Sequence, residues 1–359
     1  MGNSSSDYFN GNVTFLQKGA GVLYPAYNAS TYFGGNLTVD GSSAIIFGSN
    51  GGKAIFNGTT SQSINKSSSY APLFKKLTIN KSSGTLTLNS PVTISDSLVL
   101  TKGIINSDSA NVISISDNGK TSGGSDSSFV NGPLTKIGND AFIFPLGSNI
   151  VIYGKYHPLG ISAPSSISDQ YTGEYNYGYH NKINTVDSIK ISYTEFWILC
   201  RTVGATSVDV TLGWNANSSE VWDTSKVYVV RHDGSHWINL GGKNRSKNNS
   251  VGSVVSNTSV NLNNSVTNIF TVAGLLDRIK PSVDSFPYRG LYVNKFLSID
   301  GAGKIKPNKT ILGIATKENE LLQFAKDNNF KYLKTYSHIN LYKESYLLKA
   351  LFDLKVLRQ

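Results

Sequence analysis

Four short stretches decide how this chain reads: Leu77-Thr78-Ile79-Asn80, Leu86-Thr87-Leu88-Asn89, Val92-Thr93-Ile94-Ser95 and Leu98-Val99-Leu100-Thr101. Each reads as a short apolar/polar alternation, the period-2 pattern of a strand buried on one face. Gly, Asn, Ser and Asp punctuate the intervals as turn residues. Strands this short do not make a stable sheet alone. Stacked as coils, each unit buries its Val, Ile, Leu and Phe on the next and turns Thr, Asn and Ser outward.

Working upstream, the pattern repeats at longer period. Gly11-Asn12-Val13-Thr14-Phe15 recurs as Gly35-Asn36-Leu37-Thr38-Val39, and Ser43-Ala44-Ile45-Ile46-Phe47-Gly48 is echoed by Lys53-Ala54-Ile55-Phe56-Asn57-Gly58. Residues 1–125 are therefore expected to form a stacked β-repeat or β-solenoid. Downstream, strands become longer and aromatic, as in Gln170–Tyr177, Thr194–Leu199, Ser207–Trp214 and Lys226–Arg231. The last leads through His232-Asp233-Gly234-Ser235 into His236-Trp237-Ile238-Asn239-Leu240, an Asp-Gly hairpin signal. Residues 126–274 thus read as an antiparallel β-sandwich, ending in a loop and edge strands.

Near residue 275 the grammar changes. Residues 275–289, with Pro281 and Pro287, read as a linker. Residues 290–359 read as a short, incomplete α/β segment in β-α-β-α order, with strands at 290–296 and 331–336, the look of the start of a barrel. The expected fold class is mainly β, a solenoid followed by a sandwich, with that tail. The opening residues read as the interior of a repeat and the tail as the entrance to a larger domain, so a fragment is expected.

The chain has 359 residues, 39% hydrophobic and 16% charged, with a net charge of +10. Residues 1–274 hold 18 Lys/Arg against 15 Asp/Glu, and residues 275–359 hold 15 against 8, so +7 of the total sits in the last quarter. There Lys is interleaved with Asp and Glu, unlike the clustered cations and stacking aromatics of a nucleic-acid groove, and no nucleic-acid partner is expected. The single cysteine, Cys200, excludes an intramolecular disulfide; in Phe196-Trp197-Ile198-Leu199-Cys200 it reads as a buried, inert thiol. No stretch has the length of apolar sequence that a transmembrane helix needs, and no signal peptide is read at the start.

The middle segment carries a further ordered set: Phe129-Val130-Asn131-Gly132-Pro133-Leu134, Phe142-Ile143-Phe144-Pro145-Leu146-Gly147, Tyr156-His157-Pro158-Leu159-Gly160-Ile161, Glu195-Phe196-Trp197 and Arg201-Thr202-Val203-Gly204, then the hairpin at 232–237. Upstream stands Phe56-Asn57-Gly58-Thr59-Thr60-Ser61-Gln62-Ser63-Ile64. Together these resemble a family of large secreted surface proteins of Bacteroidetes-type bacteria, commonly exported by the type IX secretion system, over about residues 8–274. The resemblance implies an extracellular or cell-surface location and a stalk or display role. It carries no catalytic residues, and the family's usual C-terminal sorting domain is not read in this chain.

Candidate chemistry is sparse. His232 and His236 flank a turn and lack a third metal ligand. Asp117-Asn118-Gly119 and Asp126 offer oxygens for calcium without the regular loop spacing, so no cofactor is expected and calcium is the alternative. Glu174, Glu195, Asp209, Glu220 and Asp223 could serve glycan chemistry only as a pair, which nothing in their spacing creates; they read as surface charges or strand-end caps. No Gly-x-Ser-x-Gly elbow occurs. Trp197, Trp214, Trp222 and Trp237 with Tyr171, Tyr175, Tyr177 and Tyr179 fit either core packing or a sugar-stacking platform. Tyr175, Tyr177, Trp222 and Trp237 are the candidate platform. The expected function is a non-catalytic structural or adhesive module with glycans or surface proteins as partners; the alternative is a carbohydrate-binding module ahead of a glycan-active barrel.

Overall fold

In a computed structural model of the chain, the structure describes residues 6–150, 155–178, 180, 189–215, 218, 223–232, 234–248, 251–262 and 268–275, and the backbone of 297–299 and 305–307. Among them the chain is almost entirely β, with one 3-10 turn, Thr224–Lys226, and no α-helix.

Residues 7–137 form a β-solenoid of about six turns whose coils pair in parallel along three faces. On the first face Phe9, Phe33, Phe56, Ile79, Leu100 and Gly123 stand in register, at spacings of 24, 23, 23, 21 and 23 residues. On the second, Val13–Gln17 pairs with Leu37–Gly41, and Gln62–Lys66, the end of Leu73–Leu88, the end of Val92–Asn106 and Val130–Asn131 follow. The third runs through Ile46–Phe47, Leu73 and Phe74, Val92 to Ile94, Ile113–Ile115 and Leu134–Ile137. The two long strands, Leu73–Leu88 and Val92–Asn106, each wrap several faces, and their register shifts mark the corners.

The sequence repeats map onto this geometry unevenly. Val13 to Gln17 lies directly on Leu37 to Gly41, as the 24-residue repeat predicts. The echo between 43–48 and 53–58 joins different faces instead: Phe47 stacks on Phe74, and Phe56 lies between Phe33 and Ile79. Alternation identifies a strand but not its face.

Inside the coils apolar side chains form columns. Phe33, Phe47, Phe56 and Phe74 are fully buried. Phe33 stacks on Phe56 with centroids 5.0 Å apart, Phe47 on Phe74 at 4.8 Å, and Phe15 meets Phe33 and Phe47 edge-on. At one corner Gly35 lies so close to the previous coil that a Cβ would sit 2.4 Å from the carbonyl carbon of Gly11. Beside it the Asn36 N–H donates to Asn12 Oδ1 (2.8 Å) and the Ser63 N–H to Asn36 Oδ1 (2.9 Å), which carries the Gly-Asn repeat from coil to coil.

At the C-terminal end of the solenoid each face passes into the sandwich. Leu134–Ile137 pairs antiparallel with Gln170–Tyr177, which opens a sheet continuing through Glu195–Val203, Ile269–Leu275, Tyr228–His232 and Trp237–Asn239. Val130 bridges Leu146, and Thr121 Oγ1 donates to the Ile143 carbonyl (2.9 Å) beside the first strand of the second sheet. That sheet has Phe142–Phe144, Leu159–Ile161, Val210–Trp214, Val251–Val255 and Lys243–Asn248, all antiparallel. One apolar cluster runs from Phe15 to Val272 through solenoid and sandwich alike. Covering exposed strand edges in this way removes a template for unwanted pairing.

The chain divides into two units, Met1–Leu275 and Leu276–Gln359. In the second, Leu297–Ile299 and Ile305–Pro307 pair antiparallel. They fall between the strand expected at 290–296 and the helix after it; those elements, the 331–336 strand and the last helix lie outside the described residues.

Phe33 touches the rings of both neighbouring coils, and Phe33→Ala opens a cavity that cannot refill from one side. The variant is expected to lose about 3–5 kcal/mol of stability, measured by chemical denaturation.

Candidate functional site

The three described platform residues, Tyr175, Tyr177 and Trp237, do not come together. In Gln170–Tyr177 the odd positions share a face: Tyr171 and Tyr175 are buried between the sheets, while Tyr177 at the strand end is 46% exposed. Trp237 is buried in a different, smaller cluster with Val230, Ile269 and Ala273 on the outer side of the longer sheet. Trp222 lies outside the described residues, as do Tyr179 and Glu220. Trp197 and Trp214 belong to the main core. Most of these aromatic side chains are thus committed to packing.

The other candidates are drawn into local structure. Asp117 Oδ1 accepts the Asn139 N–H (3.3 Å), whereas Asp126 Oδ1 accepts the Tyr156 N–H (3.0 Å), so the proposed calcium oxygens serve different segments. Asp140 accepts the Asn118 N–H and the Lys136 ammonium, both at 2.8 Å, and Lys136 holds its carboxyl below the usual range. Asp209 pairs with Lys243 (2.7 Å), which lowers its pKa, and Asp223 caps the 3-10 turn by accepting the Ser225 N–H. His232 and Trp237 close the predicted hairpin in register. Among the described residues no group of three or more His, Cys, Asp or Glu side chains is placed to hold a metal.

Glu195 is not a surface charge. It and His157 are each 1% exposed, with Glu195 Oε2 2.9 Å from His157 Nδ1, a close polar pair off the angle of a good hydrogen bond. His157 Nε2 lies 2.9 Å from Asn215 Nδ2, its ring stacks on Tyr175 at 4.3 Å, and its carbonyl accepts the Trp197 indole N–H (3.1 Å). Burial, then the Glu195 carboxylate, push the Tyr175 hydroxyl pKa far up. His157 and Asn215 flank strands of the second sheet, while Tyr175, Glu195 and Trp197 belong to the first. The knot ties the two layers of the sandwich, with both members of the His157–Glu195 pair buried.

A second buried polar group runs along the solenoid corner. Gln62 Nε2 donates to the carbonyls of Phe33 (2.9 Å) and Gly35 (2.5 Å). Lys81, 1% exposed, donates to the carbonyls of Gly58 and Thr60 (both 2.8 Å) and to Gln62 Oε1 (2.6 Å). Burial lowers its pKa to about 8.

A concave surface with a distinct chemical character lies on the outer face of the sheet, where solenoid meets sandwich. It is a groove of about 500 Å³. Its floor is built from side chains that alternate with the core residues of three strands: Thr135, Thr172 and Glu174, Ile198, Cys200 and Thr202. A corner loop of the solenoid, with Ser107, Asp108, Ser109 and Val112, walls one side. On the other, Ile198 pairs with Ile269 of the small cluster. Cys200 is therefore a half-buried floor residue, not part of the core; alternation places it outward, and burial raises its pKa. The Glu174 carboxyl is pushed up by burial, and it makes no ion pair or side-chain hydrogen bond among the described residues.

No family model, curated protein or solved structure matches the chain.

Two outcomes follow. His157→Ala strands Glu195 in the core and is expected to cost about 3–5 kcal/mol, whereas Tyr177→Ala, at an exposed strand end, stays within about 0.5 kcal/mol of the parent; urea denaturation compares them. For Lys81, the folded protein releases its proton near pH 8 and the unfolded chain near 10.5. Between these values the unfolded state binds more protons, so stability rises with pH. The stability of the parent relative to Lys81→Met should therefore grow from pH 8 to 10.5, read from denaturation midpoints across that range.

Proposed function

We propose that residues 8–274 form a non-catalytic module of an exported surface protein, a stalk or display element that holds its cargo at a fixed spacing. The observation that carries this reading is the uninterrupted core: coils stack in register and pass into the sandwich without a break in apolar packing. At ~4.8 Å per coil, five steps between the first and sixth coils span roughly 24 Å of rigid rise. Backbone pairing on every face, with buried Gln62, Lys81 and Lys136 satisfying corner carbonyls, resists bending better than a string of separate domains. The faces turned to solvent carry Ser, Thr and Asn, suited to contact with water and with broad polar surfaces.

The resemblance to secreted surface proteins supports the location, and the absence of a disulfide does not oppose it, because stacking replaces cross-links as the source of stability. The carbohydrate-binding alternative draws on exposed tyrosines: Tyr177, and Tyr8, 64% exposed and stacked on Tyr32 at 4.6 Å.

The test labels intact, unpermeabilised cells that naturally express the protein with antibodies to residues 8–274 and incubates the purified chain with polysaccharides. Surface labelling without release of reducing ends is the expected result. Labelling only after lysis, or depolymerisation by the chain, would contradict the proposal. Glycan-array binding that is lost in Tyr177→Ala or Tyr8→Ala would move the assignment to the carbohydrate-binding alternative.

A further inference from the structure

The groove at the junction has the size of a small-ligand site and an unbalanced charge. Two carboxylates, Glu174 on the floor and Asp108 on the wall, line it, and no Lys, Arg or His occurs among its described lining residues. The two acids differ. Asp108 is turned into its own loop, accepting the N–H groups of Ala110 and Asn111 at 2.8 Å each. Among the described residues Glu174 has no such partner, and its cross-strand neighbour is the apolar Ile198. Around it the groove supplies the methyl and hydroxyl groups of Thr135 and Thr172, whose oxygens lie 2.7 Å apart, and the apolar surfaces of Val112 and Pro133.

A half-buried carboxylate without a counter-charge costs free energy that an incoming cation recovers. The surrounding apolar wall favours a ligand with a hydrocarbon stem behind its charge, and the threonine hydroxyls can accept its remaining N–H donors. No aromatic side chain occurs among the described lining residues, which offer no platform for a stacked sugar ring. We infer that the groove binds a small organic cation, an alkyl guanidinium or alkyl ammonium, with its charged head on Glu174 and its stem along Val112, Pro133 and Ile198. This site is distinct from the aromatic platform and does not depend on a display role for the module.

The test uses the full chain, labelled with 13C at Ile and Thr methyl groups, and two isosteric probes: butylguanidinium, which is charged, and butylurea, which is not. Butylguanidinium should shift the methyl signals of Thr172 and Ile198 saturably, and slow alkylation of Cys200 on the same floor by iodoacetamide. Butylurea should bind roughly ten- to hundredfold more weakly, the range for loss of a charged hydrogen bond. Glu174→Gln should weaken butylguanidinium by a similar factor while leaving the remaining methyl spectrum unchanged and the thermal midpoint no lower than in the parent. Asp96→Asn, which removes a surface carboxylate paired with Lys76 outside the groove, should leave binding as in the parent. Equal binding of the two probes, unchanged affinity in Glu174→Gln, or no shift with butylguanidinium would each overturn the inference.

Discussion

The structure depends on one constraint: successive coils must pair in parallel, in register, on three faces at once. A parallel ladder satisfies backbone N–H and C=O groups only between neighbouring coils, so no coil is stable by itself. Register then fixes which side chains stack. Phenylalanines fall on phenylalanines, Val13 on Leu37, and the Asn12–Asn36 ladder holds the corner where Gly35 comes against the previous coil. Variable corner lengths are tolerated because only face residues are held in register, which is why the repeat spacing drifts along the chain.

The same constraint creates the buried polar groups. Coil corners break the ladder and leave carbonyls facing inward, and an unpaired buried carbonyl is costly. Gln62 and Lys81 answer this at one corner, and Lys136 reaches the Ser116 carbonyl (2.8 Å) at another. Where the solenoid ends, the edges of its last coil need partners, and the sandwich supplies them. The two layers of the sandwich are held by the knot around His157 and Glu195. The groove is a by-product of this junction, since a corner loop overhangs a sheet whose outer face also carries the small cluster around Trp237.

Much of the fold was legible in sequence because period-2 alternation and the Gly-Asn repeat report directly on strands and coils. The face of each strand was not, as the 43–48 and 53–58 echo shows, because the same alternation serves every face. Glu195 read as a surface charge because its partner His157 lies on another strand, and pairing across layers leaves no trace in spacing. Cys200 read as a core thiol from its apolar neighbours, although alternation with Trp197 and Leu199 places it outward. The groove residues Glu174, Thr172 and Asp108 come from the sandwich and a solenoid corner; only the junction brings them together.

The most direct test of the central claim is disulfide trapping in a Cys200→Ser background. Thr14 stands opposite Thr38, and Thr38 opposite Asn65, on consecutive coils. Neighbouring strands lie ~4.8 Å apart, within the Cα separation of about 4.4–6.8 Å that a disulfide spans. Thr14→Cys with Thr38→Cys, and Thr38→Cys with Asn65→Cys, should cross-link readily on mild oxidation, while Thr14→Cys with Asn65→Cys, two coils apart, should not. Cross-linking of the two-coil pair, or failure of both adjacent pairs in folded protein, would contradict the in-register parallel stack.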